Sequence, residues 1–427
     1  MARVLITALG TGRLVFKTND LTDVRPSRKY DPATYAIKDG NLNTEYTTTF
    51  IAEALMNHFE IERVYVLGTA KSMWEQLYYT FSGKDRDNDY YLELGRMIDD
   101  SRYDNYRYDR SYLNRVEAAL NKKLGSTGSG CYLIKYGLDR DELLSNFNVL
   151  MQISEQLRSG DEIYVDITHS FRSISIFQYM MTGFIENLSD KHIRIEKILY
   201  GMLDVAREMG NKVPVVDLSV VNELNHWIKG IYELENYGNG YLVADLLREQ
   251  NPDLAESIDD LSDRINMNFL KDIRNEHRRR KWSSLKHVDG PGKIATNAIR
   301  SSIRLFDTEQ PDSDFQLNLS RWYFERKRYA SGYITLTEAI ITRLVEQYGN
   351  DINSWEDRQQ VKNYYMGKEY DYLYGLGILL KKVNKIRRLI AHSLGGREDQ
   401  YRSAVHNCMD YCDAAKRAFG KIGKTTR

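Results

Sequence analysis

Twelve residues constrain this chain more than any others: Glu162-Ile163-Tyr164-Val165-Asp166-Ile167-Thr168-His169-Ser170-Phe171-Arg172-Ser173. The β-branched Ile163, Val165 and Ile167 predict a short buried strand over Glu162 to Thr168, and the apolar run Ile174 to Ile185 predicts a helix after it. Polar side chains therefore gather where strand passes into helix. In an open parallel sheet that is the carboxyl end of a strand, where ligands bind, and the next helix offers unpaired N–H groups and the positive end of its dipole to an anion. Thr168, Ser170 and Ser173 bring hydroxyls, His169 donates or accepts, and Arg172 carries a rigid charged fork. The same residues also suit plain capping, with Ser170 or Ser173 as N-cap and His169 solvated.

Two further strands end in small polar residues. Arg3 to Leu9 runs into Gly10-Thr11-Gly12, and Arg63 to Leu67 runs into Gly68-Thr69, so three strand ends should meet at one sheet edge. Gly10-Thr11-Gly12 is not the dinucleotide-binding fingerprint, because Val15 stands at the third glycine position and no compact strand-helix-strand unit with an acidic residue follows.

The segment Val-Asp-Ile-Thr-His-Ser-Phe-Arg-Ser resembles the Asp-x-Thr-His-Gly signature of the CARF domains of CRISPR-associated proteins, with Ser170 where the family usually has Gly. The start of the chain, Val4-Leu5-Ile6 through Gly12 and then Val66-Leu67-Gly68-Thr69, resembles the same family. The resemblance implies a Rossmann-like sensor of cyclic oligoadenylates. Its ligand-binding residues would be Gly10, Thr11, Gly12, Gly68, Thr69, Thr168, His169, Ser170 and Arg172, with cyclic tetra-adenylate ahead of cyclic hexa-adenylate as the ligand.

Along the chain, Thr47 to Phe59 has helical periodicity, and residues 71–130 read as a helical insertion over the sheet edge or ligand mouth. Within it, the Tyr-rich run Tyr103 to Tyr112 offers faces for bases but reads more readily as an exposed helix surface or a dimer contact. Cys131 to Tyr136 is strand-like, Asp139 to Leu157 an amphipathic helix opened by Asp-Arg-Asp-Glu, and Ile193 to Asp204 with Val213 to Val220 a last strand pair joined at Gly210-Asn211. An α/β sensor would thus occupy residues 1–221, followed by linker helices over 222–315, clearest at Leu224 to Tyr237. Arg274 to Lys281 is a basic run that suits a solvated helix end or loop better than RNA contact.

Residues 316–427 read as an all-α domain with helices at Leu319 to Tyr329, Tyr333 to Tyr348, Tyr370 to His392 and Tyr401 to Phe419. They hold 20 Lys+Arg against 12 Asp+Glu, about +8 in a chain of zero formal charge. That asymmetry suits a nucleic-acid face and equally a solvated helical surface. In the third helix, Arg387 and His392 lie near a helix end closed by Leu394-Gly395-Gly396, where they could turn to one polar pocket. This Arg-x4-His element resembles the motif of HEPN ribonucleases. Arg388 follows the motif Arg where that family often has Asn or another polar residue, and Tyr329 to Glu346 resembles the helix packed beside it. The resemblance implies a metal-independent endoribonuclease that cleaves single-stranded RNA at a site shared by two chains, in a homodimer or a higher even oligomer, with the cyclic oligoadenylate as allosteric activator and no cofactor.

A pI near 7.1 argues against a uniformly basic nucleic-acid coat. The three cysteines, Cys131, Cys408 and Cys412, suit neither a disulfide framework nor a zinc site, and no carboxylate–histidine cluster has metal-ligand spacing. The expectation is a cytoplasmic protein without membrane spans or resident metal. Two other functions stay open: a sensor that degrades its own ring through Thr168, His169 or Arg172, and a ligand-sensing DNA-binding regulator, which would need a helix-turn-helix or winged module.

Overall fold

The structure, a computed structural model, describes residues 2–15, 27–29, 31–188, 191–269, 288, 290–304, 310–367, 373–392 and 398–425. The chain divides into two compact units, Met1–Asn222 and Glu223–Arg427.

The first unit is built on an eight-stranded sheet. Its strands are β1 (Arg3–Leu9), β4 (Ala33–Asp39), β5 (Leu42–Thr48), β6 (Arg63–Gly68), β7 (Gly130–Leu133), β8 (Glu162–Asp166), β9 (Arg194–Gly201) and β10 (Lys212–Asp217). The short β2 (Arg13–Val15) and β3 (Ser27–Lys29) pair separately. The order across the sheet is β5-β4-β10-β9-β8-β1-β6-β7. From β9 to β7 the strands are parallel, whereas β10 meets β9 and β5 meets β4 antiparallel. After β1 the chain forms the β4–β5 hairpin at one edge, comes back to lay β6 and β7 on one side of β1, and then places β8 on the other side. That reversal puts the topological switch point between β1 and β8, where open α/β sheets bind ligands.

Both sheet faces are covered, which explains the near-continuous apolar sequence of the inner strands. On β1, Leu5 and Leu9 enter one core with α1 (Ile51–His58), α2 (Trp74–Ser82), α3 (Asn88–Asp100) and α4 (Asn114–Leu124). Val4 and Ile6 enter the other, with α5 (Arg140–Gln156) and α6 (Arg172–Leu188). The segment 71–130 is therefore the β6–β7 crossover that seals one face, and not a covering of the edge alone. Asp139 caps α5 by accepting the Glu142 N–H at 2.8 Å, while the Glu142 carboxylate accepts the Gly137 and Leu138 N–H groups.

The expected helix from Thr47 starts only at Ile51, because the residues before it form the β4–β5 hairpin. Gly40 at φ +57° and Asn41 turn between Asp39 and Leu42, a two-residue connection of the kind that favours such residues.

Among the described residues, the regular elements of the second unit are all helices. Beyond α7 (Ser219–Tyr237), α8 (Tyr241–Leu247) and α9 (Pro252–Met267), helices run over Gly292–Arg304, Asp312–Glu325, Tyr329–Gln347, Trp355–Gly367, Leu376–Ala391 and Glu398–Thr425. The helix Asp312–Glu325 serves two cores: Phe315, Leu319 and Tyr323 pack with α7 to α9, and Leu317 and Phe324 with the helices that follow. The helix expected from Tyr370 begins at Leu376, after Leu373 and Tyr374 at positive φ. Trp355–Gly367, an additional helix, carries only Val361 and Tyr365 as buried residues, and so weak an apolar stripe leaves little periodicity to read. The basic run Arg274 to Lys281 and the glycines 395–396 lie outside the described residues.

Candidate functional site

The pivot is Asp166, the last residue of β8 and fully buried. A carboxylate so placed must be hydrogen-bonded to stay charged. Thr7 donates to its Oδ2 at 2.6 Å from β1, and the Thr168 N–H and hydroxyl donate to Oδ1 at 3.0 and 2.5 Å. Burial raises the Asp166 carboxyl above its ordinary value, and these bonds oppose that rise without cancelling it. The Thr168 hydroxyl also accepts the Gly201 N–H at 2.8 Å, tying the end of β9 to the turn. Ser170 donates to Gln178 Oε1 at 2.6 Å, and Gln178 reaches back to the Asp166 carbonyl. The turn after β8 is thus clamped on both sides before any ligand arrives.

This clamp presents His169. Its ring lies against Gly10, while Nε2 is buried and has no hydrogen-bond partner. Burial holds the imidazole below its ordinary pKa, and the charge of Asp166 pulls it partly back up. A neutral ring with one unmatched nitrogen is therefore held at the wall of a cavity of about 500 Å³.

Gly10, Thr11 and Gly12 from β1, Gly68 and Thr69 from β6, and His169 and Ser170 from β8 all line that cavity, so the three expected strand ends do meet. Gly12, at φ +71°, takes a backbone conformation that side chains avoid. Gly68 has a second reason to be glycine: a Cβ there would stand 2.6 Å from Trp74 Cζ2. Thr69, buried, accepts the Lys71 N–H on its hydroxyl and donates its own N–H to Ser72 Oγ at 2.9 Å. Thr168 and Arg172 are not in the wall. Thr168 is occupied in holding Asp166 and Gly201, and Arg172 is exposed in the first turn of α6.

Sequence reasoning missed Tyr35 and Ser72, which also line the cavity. Tyr35 arrives on β4, a strand that was not anticipated, and burial followed by the charge of Asp166 pushes its phenol up to about 12. It remains a neutral donor at any ordinary pH. Ser72 donates to the Leu9 carbonyl at 2.7 Å and joins β1 to the loop after β6.

In the second unit, Arg387 is half-buried with its Nε buried and without a partner, and His392 is exposed as the residue that ends its helix. Five positions at 3.6 residues per turn separate two side chains by roughly 140° around the axis, so one helix does not aim both at one point. Among the described residues no hydrogen bond joins them. Lys362, on Trp355–Gly367, is half-buried beside Arg387. Burial lowers its ammonium pKa, and the charges of Arg387, Arg388 and Arg358 lower it further against the pull of Glu338. Arg358 is paired with Glu338 and donates to Thr342 Oγ1 at 3.0 Å. Lys362 thus lies within the fields of three arginines, one of them paired with Glu338, and a concentration of positive charge of this kind suits an incoming anion.

Among the described residues no helix is long and apolar enough to cross a membrane, and no group of three or more His, Cys, Asp or Glu is placed to hold a metal ion.

Comparison with known proteins matches residues 4–204 to the CARF domain of the CRISPR system endoribonuclease Csx1, and residues 223–294 to the second domain of CRISPR-associated protein MJ1674. The chain is 36% identical over 409 residues to CRISPR-associated protein MJ1674 of Methanocaldococcus jannaschii, a match that takes in 92% of this chain and 62% of that protein. It therefore spans about three-fifths of that relative's length. A solved structure of Enterococcus italicus Csm6 bound to cyclic hexa-2'-fluoro-hexa-dAMP aligns over 99% of this chain and 94% of that one, at 12% identity and a TM-score of 0.38.

Proposed function

We propose that this chain, a CRISPR-associated protein whose first unit is a CARF domain, is a ribonuclease switched on by a cyclic oligoadenylate. The observation that carries the sensing half is the cavity at the switch point, where His169 Nε2 is buried, unmatched and backed by a rigid clamp. Strand ends, N–H groups and hydroxyls suit phosphate oxygens without many formal charges. Gly10, Thr11 and Gly12 would let the ring backbone approach closely, and Thr69, His169 and Ser170 would line it. Thr168 would hold Asp166 and the turn in place, and Arg172 would meet a phosphate only at the rim. Cyclic tetra-adenylate is the first choice of ligand.

The nuclease half is supported by Arg387 among neighbouring cations, by His392 at the helix end, and by the matched CARF domain being that of an endoribonuclease. In the reaction, His392 takes or orients the proton of a ribose 2′-OH as that oxygen attacks the adjacent phosphorus. Arg387 stabilises the charge gathering on the phosphorane, and the 5′-oxygen leaves and is protonated. Since the two side chains diverge around one helix, a site joining the Arg of one copy to the His of another in a homodimer suits them better than a site within one chain. Activation requires the ring to bind the active arrangement more tightly than the inactive one. No metal is needed in this scheme.

One observation also favours the second reading, in which the sensor cleaves its own ring: a neutral His169 with a free nitrogen at the cavity wall is equipped to accept a 2′-OH proton. Cleavage of a single-stranded RNA, measured with and without cyclic tetra-adenylate for wild type, Arg387→Ala and His392→Ala, tests the proposal. Ring-dependent cleavage that both variants lose supports it. Ring-independent cleavage, or full activity in a folded His392→Ala protein, rejects it.

A further inference from the structure

The Tyr-rich run after α3 divides in two. Tyr106 donates to the Ile134 carbonyl at 2.8 Å, Tyr108 to the Ala70 carbonyl at 2.9 Å, and the Tyr112 carbonyl accepts the Tyr90 hydroxyl at 2.6 Å. The first two anchor the run to the ends of β7 and β6, and the third ties it to α3. Tyr103 does something else. It sits at the tip of a two-residue turn whose flanks, Arg102 and Asn105, exchange backbone hydrogen bonds at 2.9 and 3.2 Å, and it is 54% exposed.

From that tip an aromatic file leads to the main cavity. The Tyr103 ring stands 6.5 Å from Tyr136, nearly perpendicular at 83°, and Tyr136 lies 5.4 Å from Phe171 at 35°. Phe171 is itself part of the main cavity wall and 41% exposed. Tyr103 and Tyr136 line a separate outer hollow whose wall is of mixed charge, Lys71, Arg102 and Arg107 with Asp99 and Asp100, and Lys71 Nζ is already spent on the Asp99 carbonyl at 2.8 Å. An exposed ring, Tyr103, set edge-on to the half-buried Tyr136, with Arg102 and Arg107 beside it and a cavity-wall ring next in file, has the parts of a nucleobase platform: rings for the base, guanidinium groups for the phosphate.

We infer that the corner formed by Tyr103 and Tyr136 is a second subsite that stacks one adenine of the oligoadenylate, its flanking phosphate reaching Arg102 or Arg107, while another part of the same ligand occupies the main cavity. This rests on the sensing role proposed above and adds a named contact outside the three strand ends. The tight turn holds Tyr103 before binding, so little ordering of that residue is required.

The test is calorimetric titration of cyclic tetra-adenylate into wild type, Tyr103→Ala and Tyr103→Phe, with thermal melting to confirm equal folding. Loss of one base stack weakens binding about fivefold to a hundredfold in Tyr103→Ala, whereas Tyr103→Phe, which keeps the ring, binds as wild type. Equal affinity in Tyr103→Ala, or equal loss in both variants, overturns the stacking subsite while leaving the main cavity as the sensor. A wild-type protein that binds no ring would remove the sensing role and this subsite with it.

Discussion

Thr7 Oγ1 donates to Asp166 Oδ2 across 2.6 Å, joining two buried residues that are 159 positions apart in the chain. The bond ties β1 to β8 at the switch point of the sheet, and it favours the ionised carboxylate against the burial that raises Asp166 above its ordinary value.

Thr7→Val keeps the shape and removes the donor, so the buried Asp166 carboxyl loses one hydrogen bond. The expected cost is about 1.5–3 kcal/mol, read as a lower urea midpoint. Thr168→Val, which strips a donor from Oδ1 and an acceptor from the Gly201 N–H, should destabilise as well. A Thr7→Val protein as stable as wild type would show that the carboxylate does not rely on this bond.

The His169 imidazole is held below its ordinary pKa, so between its folded and unfolded values the unfolded chain binds the proton that the folded one declines. Its contribution to stability is therefore complete above the ordinary value near 6.5 and declines as pH falls below it. Ligand phosphates act in the opposite sense by favouring imidazolium. Affinity for the ring should rise as pH drops from about 8 to about 6, with proton uptake measurable by calorimetry in buffers of different ionisation enthalpy. His169→Gln should flatten that dependence, and a flat wild-type profile would contradict the assignment.

Gly68 and Gly10 both border the cavity but answer to different neighbours. A methyl group at Gly68 would meet Trp74 at 2.6 Å, whereas at Gly10 it would rest against the His169 ring at an ordinary 3.5 Å. Gly68→Ala should cost about 1–3 kcal/mol by overpacking. Gly10→Ala should fold normally and weaken ring binding. Thermal melts and titrations of the two variants separate the effects.

What the sequence disclosed follows from how strongly each element is patterned. β1, β6 and β8 are short apolar runs ending in Gly, Thr or Ser, and their ends converge as expected, because a sheet buried on both faces leaves little ambiguity about such strands. The hairpin of β4 and β5 was missed because β5 is largely exposed, with Leu42 the only aliphatic side chain in Leu-Asn-Thr-Glu-Tyr-Thr-Thr; the Asp39-Gly40-Asn41 turn was the signal that could have revealed it. Tyr35, carried on that hairpin, was missed with it. Thr168 and His169 are neighbours in one motif, yet one is spent inside the clamp and the other faces the cavity, a division set by Gly201 and Gly10 from distant strands. Nor could the sequence separate Tyr103 from Tyr106 and Tyr108, since only the fold decides which phenols find backbone carbonyls.

If RNA cleavage proceeds through the 2′-OH, the products carry 2′,3′-cyclic phosphate and 5′-hydroxyl ends and form in excess chelator. Product-end analysis by mass spectrometry checks this. A requirement for added divalent metal would replace that mechanism with another.

The central claim, that the strand ends around His169 are the receptor for a cyclic oligoadenylate, is tested most directly by titrating cyclic tetra-adenylate into wild type and His169→Ala at constant pH and salt. Loss of a charge-assisted contact predicts saturable wild-type binding that weakens about tenfold to a hundredfold in a normally folded variant. Identical affinity in the two proteins, or no binding to wild type, would contradict it.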